Sequence, residues 1–125
     1  MKISILTVGK IKEKYFNDAI AEYSKRLSRY CNLEILQVAD EKTPDHASEA
    51  LCVQIKEKEG ERLLRLIRED AYVIALAIDG KTPDSVELSQ KIEKLGVSGI
   101  SSIAFVIGGS LGLSERVLKR ADYKL

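Results

Sequence analysis

The chain has 125 residues, of which 45% are apolar and 31% charged, and its formal net charge is +1. That length builds one hydrophobic core and not two, and the composition excludes a disordered chain. No apolar run approaches the roughly 20 residues that cross a bilayer, and no small-residue cleavage site follows the first residues, so a strand and a cytoplasmic protein are expected.

Lys2–Val8 (KISILTV) is a near-continuous apolar run, the pattern of a strand covered on both faces. It ends in the turn Gly9-Lys10-Ile11-Lys12. Phe16, Ile20, Tyr23, Leu27 and Tyr30 then recur at steps of four and three, which predicts a helix over Glu13–Arg29 with that stripe buried. Lys14, Lys25, Arg26 and Arg29 fall largely off the stripe. Leu33–Ala39 (LEILQVA) reads as a second strand, and the turn DEKTPDH leads into a long charged helix over Ala47–Arg68. Leu51, Ile55, Leu63 and Ile67 mark its buried side, and Gly60 weakens its middle by about 1 kcal/mol.

Ala71–Ile78 (AYVIALAI) is the most apolar strand and is expected near the centre of the sheet. After the bend DGKTPD, Asp84 and Glu87 form a capping-box pattern that opens a helix covering Val86, Leu88, Ile92 and Leu95, with Gly96 as its C-terminal cap. Ile103–Ile107 is a further strand, followed by a bend holding Gly108, Gly109 and Gly112. Ser114 caps a last helix ending near Arg120, and ADYKL reads as a linker toward another strand.

Strand–helix alternation implies an α/β fold with a mostly parallel sheet flanked by helices, in which every strand C-terminus lies on one edge. Ligands bind at that edge in open α/β sheets. Two bends there, Asp79-Gly80-Lys81 and Gly108–Gly112, are expected to face each other across a crevice. The Gly108–Gly112 bend does not fit a nucleotide-hydrolysis loop, because Leu113-Ser114 and not a Lys-Ser or Lys-Thr pair follows its last glycine. A dinucleotide fingerprint is excluded too, since the first strand–helix turn has only Gly9. The single histidine, His46, has no neighbouring nucleophile and reads as a surface residue, and no Cys, His or carboxylate spacing fits a metal. Cys31 and Cys52 are expected to be reduced thiols. Group transfer from a reactive cofactor such as S-adenosylmethionine remains compatible with a pocket lined by bare backbone, because the cofactor brings its own leaving group.

MKISILTVGKIK, VIALAIDGK and FVIGGSLGLSERVLKRADYKL, taken in order, closely resemble the RlmH family of SPOUT-class methyltransferases across essentially the whole chain. The resemblance implies a single SPOUT methyltransferase domain over residues 1–125 with a C-terminal α/β knot. It implies a homodimer that moves a methyl group from S-adenosylmethionine to N3 of a pseudouridine in large-subunit ribosomal RNA of the assembled ribosome. Carried over by position, the cofactor contacts fall on Leu76 and Gly108, with Gly80 and Gly109 shaping the same loops. Members of the family continue past the ADYKL position into a strand, a third cofactor loop and a knot-completing helix. The 125 residues are thus expected to be truncated at the C-terminus and, alone, to hold the cofactor weakly or not at all. No catalytic side chain is assigned; Asp79 lies in a cofactor-edge loop but serves equally as a turn residue.

Residues 1–30 carry seven basic groups against three acidic ones. This local excess is compatible with a solvated face or with a polyanion partner. Lys10 and Lys12, just after the first strand, are the expected RNA contacts, with Lys14, Arg26 and Arg29 extending the surface. No membrane partner and no metal are expected. Two other readings stand beside the methyltransferase: a nucleotide-binding α/β protein of different chemistry, and a non-catalytic interaction module.

Overall fold

Five strands and four helices alternate along residues 1–125 of the computed structural model: β1 (Lys2–Val8), α1 (Lys14–Leu27), β2 (Asn32–Val38), α2 (Glu49–Leu66), β3 (Tyr72–Ala75), α3 (Ser85–Val97), β4 (Ser102–Ile107), α4 (Glu115–Arg120) and β5 (Tyr123–Lys124). All the strands pair in parallel, in the order β2-β1-β4-β3-β5. The chain therefore builds one half of the sheet with β1 and β2, crosses over through α2 to β3, and returns through α3 to place β4 between β1 and β3.

Side chains alternate across the pleat, and the two faces are packed unequally. Leu6, Val73, Ala104 and Val106 meet Leu63 of α2 and Val117 of α4 in one buried cluster. Helix α2 lies on this face because Ile55, Glu59 and Leu63 are four residues apart and share one buried side. Gly60, expected to weaken α2, is instead where α4 crosses it. A Cβ there would collide with the Ser114 hydroxyl and lie 3.1 Å from Val117 Cγ2. The backbone entropy lost at this glycine is offset by close helix–helix approach.

On the opposite face Ile74 and Ile103 are fully buried, but α1 leaves its apolar stripe uncovered. Phe16, Tyr23, Leu27 and Tyr30 were expected to be buried along α1, yet all are exposed, Tyr30 to 80%, and no residue of α1 is buried. A helical period shows which residues share a face; it does not supply the surface that covers them. Val86 of α3 departs from expectation in the same way, at 62% exposed, while Leu88, Ile92 and Leu95 are half-buried.

Local end signals hold more closely. Asp84 accepts from the Glu87 amide at 2.8 Å and Ser114 from the Val117 amide at 3.4 Å, each as an N-cap. The C-terminal cap of α3 is displaced from the expected Gly96. The helix continues to Val97, and Gly99 adopts φ +98°, with Ile100 N–H donating to Leu95 O and Gly99 N–H to Gly96 O. That pair of bonds is a Schellman motif, whose left-handed position is suited to glycine.

ADYKL is a strand rather than a linker. Tyr123 and Lys124 pair with Ile74 and Ala75, and the Asp122 carboxylate accepts from Val73 N–H at 2.8 Å. Arg120 anchors this return: its guanidinium donates to the carbonyls of Arg68, Glu69 and Ala71 at 3.2, 3.3 and 2.9 Å and pairs with Asp122 at 3.4 Å. Arg120→Ala is expected to lower stability by about 2 kcal/mol, the scale of charge-assisted bonds lost from a part-buried site. A urea unfolding curve with an unchanged slope and a lower midpoint would register it.

Candidate functional site

The C-termini of all the strands lie on one edge, and the two glycine-bearing bends leave it from neighbouring strands, β3 and β4. Leu76 N–H donates to Val106 O at 2.9 Å, which sets Leu76 beside the end of β4, close to Gly108. Leu76 is 38% exposed, an apolar side chain at the rim rather than in the core. The β3 bend is held from its other side by the chain end. Ala77 N–H donates to Leu125 O, Lys81 N–H to Lys124 O and Gly80 N–H to Ala77 O, each at 3.0 Å.

Gly80, Gly108 and Gly109 are required first by contacts within the chain. A Cβ at Gly80 would strike the Leu125 carbonyl. One at Gly108 would lie 2.7 Å from Gly112 C, and one at Gly109 3.0 Å from Glu59 Oε1. Gly112, which sequence reasoning did not single out as a contact, is different. It takes φ +89° and no atom lies within 4 Å of the Cβ position, so its bare backbone faces open space. The β4 loop is thus folded tightly on itself, with Gly112 N–H donating to Gly109 O at 3.0 Å, and presents main chain outward at one point. An apolar rim residue beside exposed main chain suits an adenosine, whose ring needs an apolar shelf and whose edge is read by backbone groups.

On the far side of the β4 loop from Leu76 lies a cavity of about 600 Å³. Val8, Gly9 and Val38 form part of its wall, Gly109 borders it, and Lys10 and Lys12 line it as well. The structure therefore brings the two expected RNA-contact lysines and one of the expected cofactor-loop glycines to a single cavity. Lys14, Arg26 and Arg29 do not line it; Arg26 pairs with Glu22 at 3.0 Å on the surface of α1.

Sequence reasoning missed Glu59. It is 4% exposed, lines the cavity, and accepts from Glu41 N–H at 2.9 Å through Oε2, while Oε1 has no partner. The signal was present: Glu59 stands four residues from both Ile55 and Leu63, on the apolar side of α2. Arg62 holds the facing loop by donating to Ala39 O at 2.8 Å and pairing with Glu41 at 2.6 Å. Asp79 is exposed at its bend, and His46 is exposed with φ 57°. No three His, Cys, Asp or Glu side chains converge as metal ligands, and no helix is long and apolar enough to cross a membrane.

The family model described as "Predicted SPOUT methyltransferase" matches residues 1–125. The chain belongs to the SPOUT methyltransferase family. It is 64% identical over all 125 residues to the "Ribosomal RNA large subunit methyltransferase H" of Bifidobacterium adolescentis, covering 79% of that protein. It is 58% identical over the same span to the "Ribosomal RNA large subunit methyltransferase H 1" of Clostridium perfringens strain SM101 and to a Clostridium kluyveri protein named "Ribosomal RNA large subunit methyltransferase H", again covering 79% of each. The SPOUT assignment makes the protein a methyltransferase, and it makes the α/β reading of the alternating strands and helices correct in class.

Proposed function

We propose that residues 1–125 form one SPOUT methyltransferase domain of a cytoplasmic, homodimeric enzyme that methylates large-subunit ribosomal RNA with S-adenosylmethionine as donor. The acceptor is N3 of a pseudouridine in the assembled ribosome. The observation that carries this reading is the adjacency of the two loops: Leu76 and the Gly108–Gly112 bend leave neighbouring parallel strands at one edge, with Lys10 and Lys12 on the same edge. The family names of the relatives support RNA as acceptor. The uncovered apolar stripe of Tyr15, Phe16, Tyr23 and Leu27 supports a second copy as partner, and the paired end strand β5 supports a knot built onto β3.

When bound, S-adenosylmethionine supplies an electrophilic methyl carried on a sulfonium. Leu76 would form the apolar shelf, and the main chain of Gly108–Gly112, with the Gly80 bend, would hold the adenosine. The chain's contribution is mainly positional: a rigid cradle at the end of a buried sheet fixes donor and acceptor in line, which removes much of the entropic barrier. The acceptor nitrogen must lose a proton, and lysines near the site favour the anionic ring as well as the phosphate backbone.

Transfer of labelled methyl from S-adenosylmethionine to ribosomal RNA, mapped to the modified nucleotide, tests the reading directly. Absence of label from large-subunit RNA would overturn it. Charge reversal at Lys10 and Lys12 together is expected to lower the ribosome methylation rate about tenfold or more at physiological salt and to flatten its salt dependence by about two phosphate contacts. Unchanged methylation by that variant would remove both lysines from the RNA surface.

A further inference from the structure

The cavity beside the β4 loop is lined by groups of both charges, Lys10 and Lys12 together with Asp40, Glu41 and Glu59. Inside it, the Glu59 carboxylate is 4% exposed, and its Oε1 lies against Gly109 without a hydrogen-bond partner. A carboxylate oxygen only accepts, so a group that completes it must bring an N–H or O–H. The same cavity is lined by Lys10 and Lys12, which are exposed and make no ion pair. With Glu41 paired to Arg62 and no carboxylate within ion-pair distance of either lysine, both ammoniums are free to hold an anion beside Asp40. A single ligand that satisfies both the carboxylate and the lysines carries an N–H or O–H donor and a negative group. A free amino acid has both but leaves most of 600 Å³ empty, whereas a nucleotide fills it.

We propose that this cavity is a nucleotide subsite for the RNA, in which Glu59 accepts a base N–H and Lys10 and Lys12 hold the phosphate. The inference rests on the RNA-methyltransferase reading and adds to it a position that reads the base rather than the backbone. A donor reaches Oε1 by a small lift of the Gly109 main chain that lies against it. Glu41 N–H, bonded to Oε2 at 2.9 Å, keeps the carboxyl in place while the other oxygen is offered.

Amide NMR titration of the unaltered protein with uridine monophosphate, 3-methyluridine monophosphate and ribose 5-phosphate tests this. Uracil has one ring N–H, and the methyl removes it. The expected result is movement of the Gly9 and Glu41 amides with uridine monophosphate, with affinity about tenfold weaker for each of the other two compounds, as for a lost bond to a charged acceptor. Equal affinity for all three would reduce the cavity to a phosphate site and overturn the proposal, as would no movement at Gly9 and Glu41. Glu59→Gln is expected to weaken uridine monophosphate about tenfold, because Glu41 N–H takes the amide oxygen and leaves an amino group facing the base N–H. Undiminished binding by that folded variant overturns the role of Glu59. A parallel titration with S-adenosylmethionine, followed at Leu76 and Gly80, reports on the methyltransferase reading separately, so either can fail alone.

Discussion

Gly108→Ala is expected to lower methyl transfer at least about 100-fold, the scale of a misplacement near 1 Å in a positioned reaction. The added Cβ would lie 2.7 Å from the carbonyl carbon and 2.8 Å from the carbonyl oxygen of Gly112, and 3.1 Å from Leu113 Cδ2. Two of these atoms are backbone, so the clash cannot be relieved by rotating a side chain. The loop has to open, and the Gly109–Gly112 closure that presents the Gly112 main chain is lost with it. The bend lies beyond the last residue of β4, outside the buried cluster of Leu6, Val73, Ala104 and Val106. Stability should therefore fall by no more than about 1–3 kcal/mol, and circular dichroism should be unchanged at room temperature. A single-turnover assay with ribosomes as acceptor makes the measurement. Wild-type rates from a variant with an altered loop spectrum would mean that the Gly108 bend does not hold the donor.

Gly60→Val should destabilise the chain by about 3 kcal/mol, which for a domain of this size is roughly 10 °C in Tm. Its Cβ enters the α2–α4 crossing, against the Ser114 hydroxyl and Val117 Cγ2. Ser114 cannot move aside freely, since its hydroxyl caps α4 through Val117 N–H. Alanine at the same position sets two effects against each other. Helix propensity favours it by about 1 kcal/mol, and overpacking opposes it by about 1–3 kcal/mol. The net result is a loss of about 1 kcal/mol, so alanine and valine should separate clearly in a thermal melt. A more stable alanine variant would show that the crossing has room to yield.

The two changes differ in what they report. Gly108 acts on a loop that ends at the ligand edge, so activity falls before the fold does. Gly60 lies in the packed face that carries β1, β4 and β3, so fold and activity fall together. Glycine is the residue at both for the same reason, close approach of chain to chain. Among the edge glycines Gly80, Gly108, Gly109 and Gly112, only Gly112 has an open Cβ position.

Order along the chain was legible from local pattern. The strand–helix alternation, the N-caps Asp84 and Ser114, and the two bends at the carboxyl edge follow from periodicity and capping chemistry that act over a few residues. The shift from Gly96 to Gly99 at the end of α3 is a local misreading: both glycines suit a cap, and the Ile100–Leu95 bond selects the later one. Tyr123–Lys124 was hidden for another reason. Two residues carry no alternation, and the strand exists because Asp122 and Arg120 dock the chain end against β3.

The sequence by itself determined the fold class, the ends of most elements and the edge of the sheet from which both glycine bends leave, because these depend on spacing between near neighbours. Only the tertiary structure decided that β4 stands between β1 and β3, so that its glycine loop borders Leu76 on one side and the Lys10–Lys12 cavity on the other. It alone turned Glu59 from a charge on a charged helix into a buried acceptor beneath Gly109, and left the α1 stripe uncovered. Strand order and burial are settled by which distant apolar faces meet, and a helical or strand period carries no mark of the partner it will find.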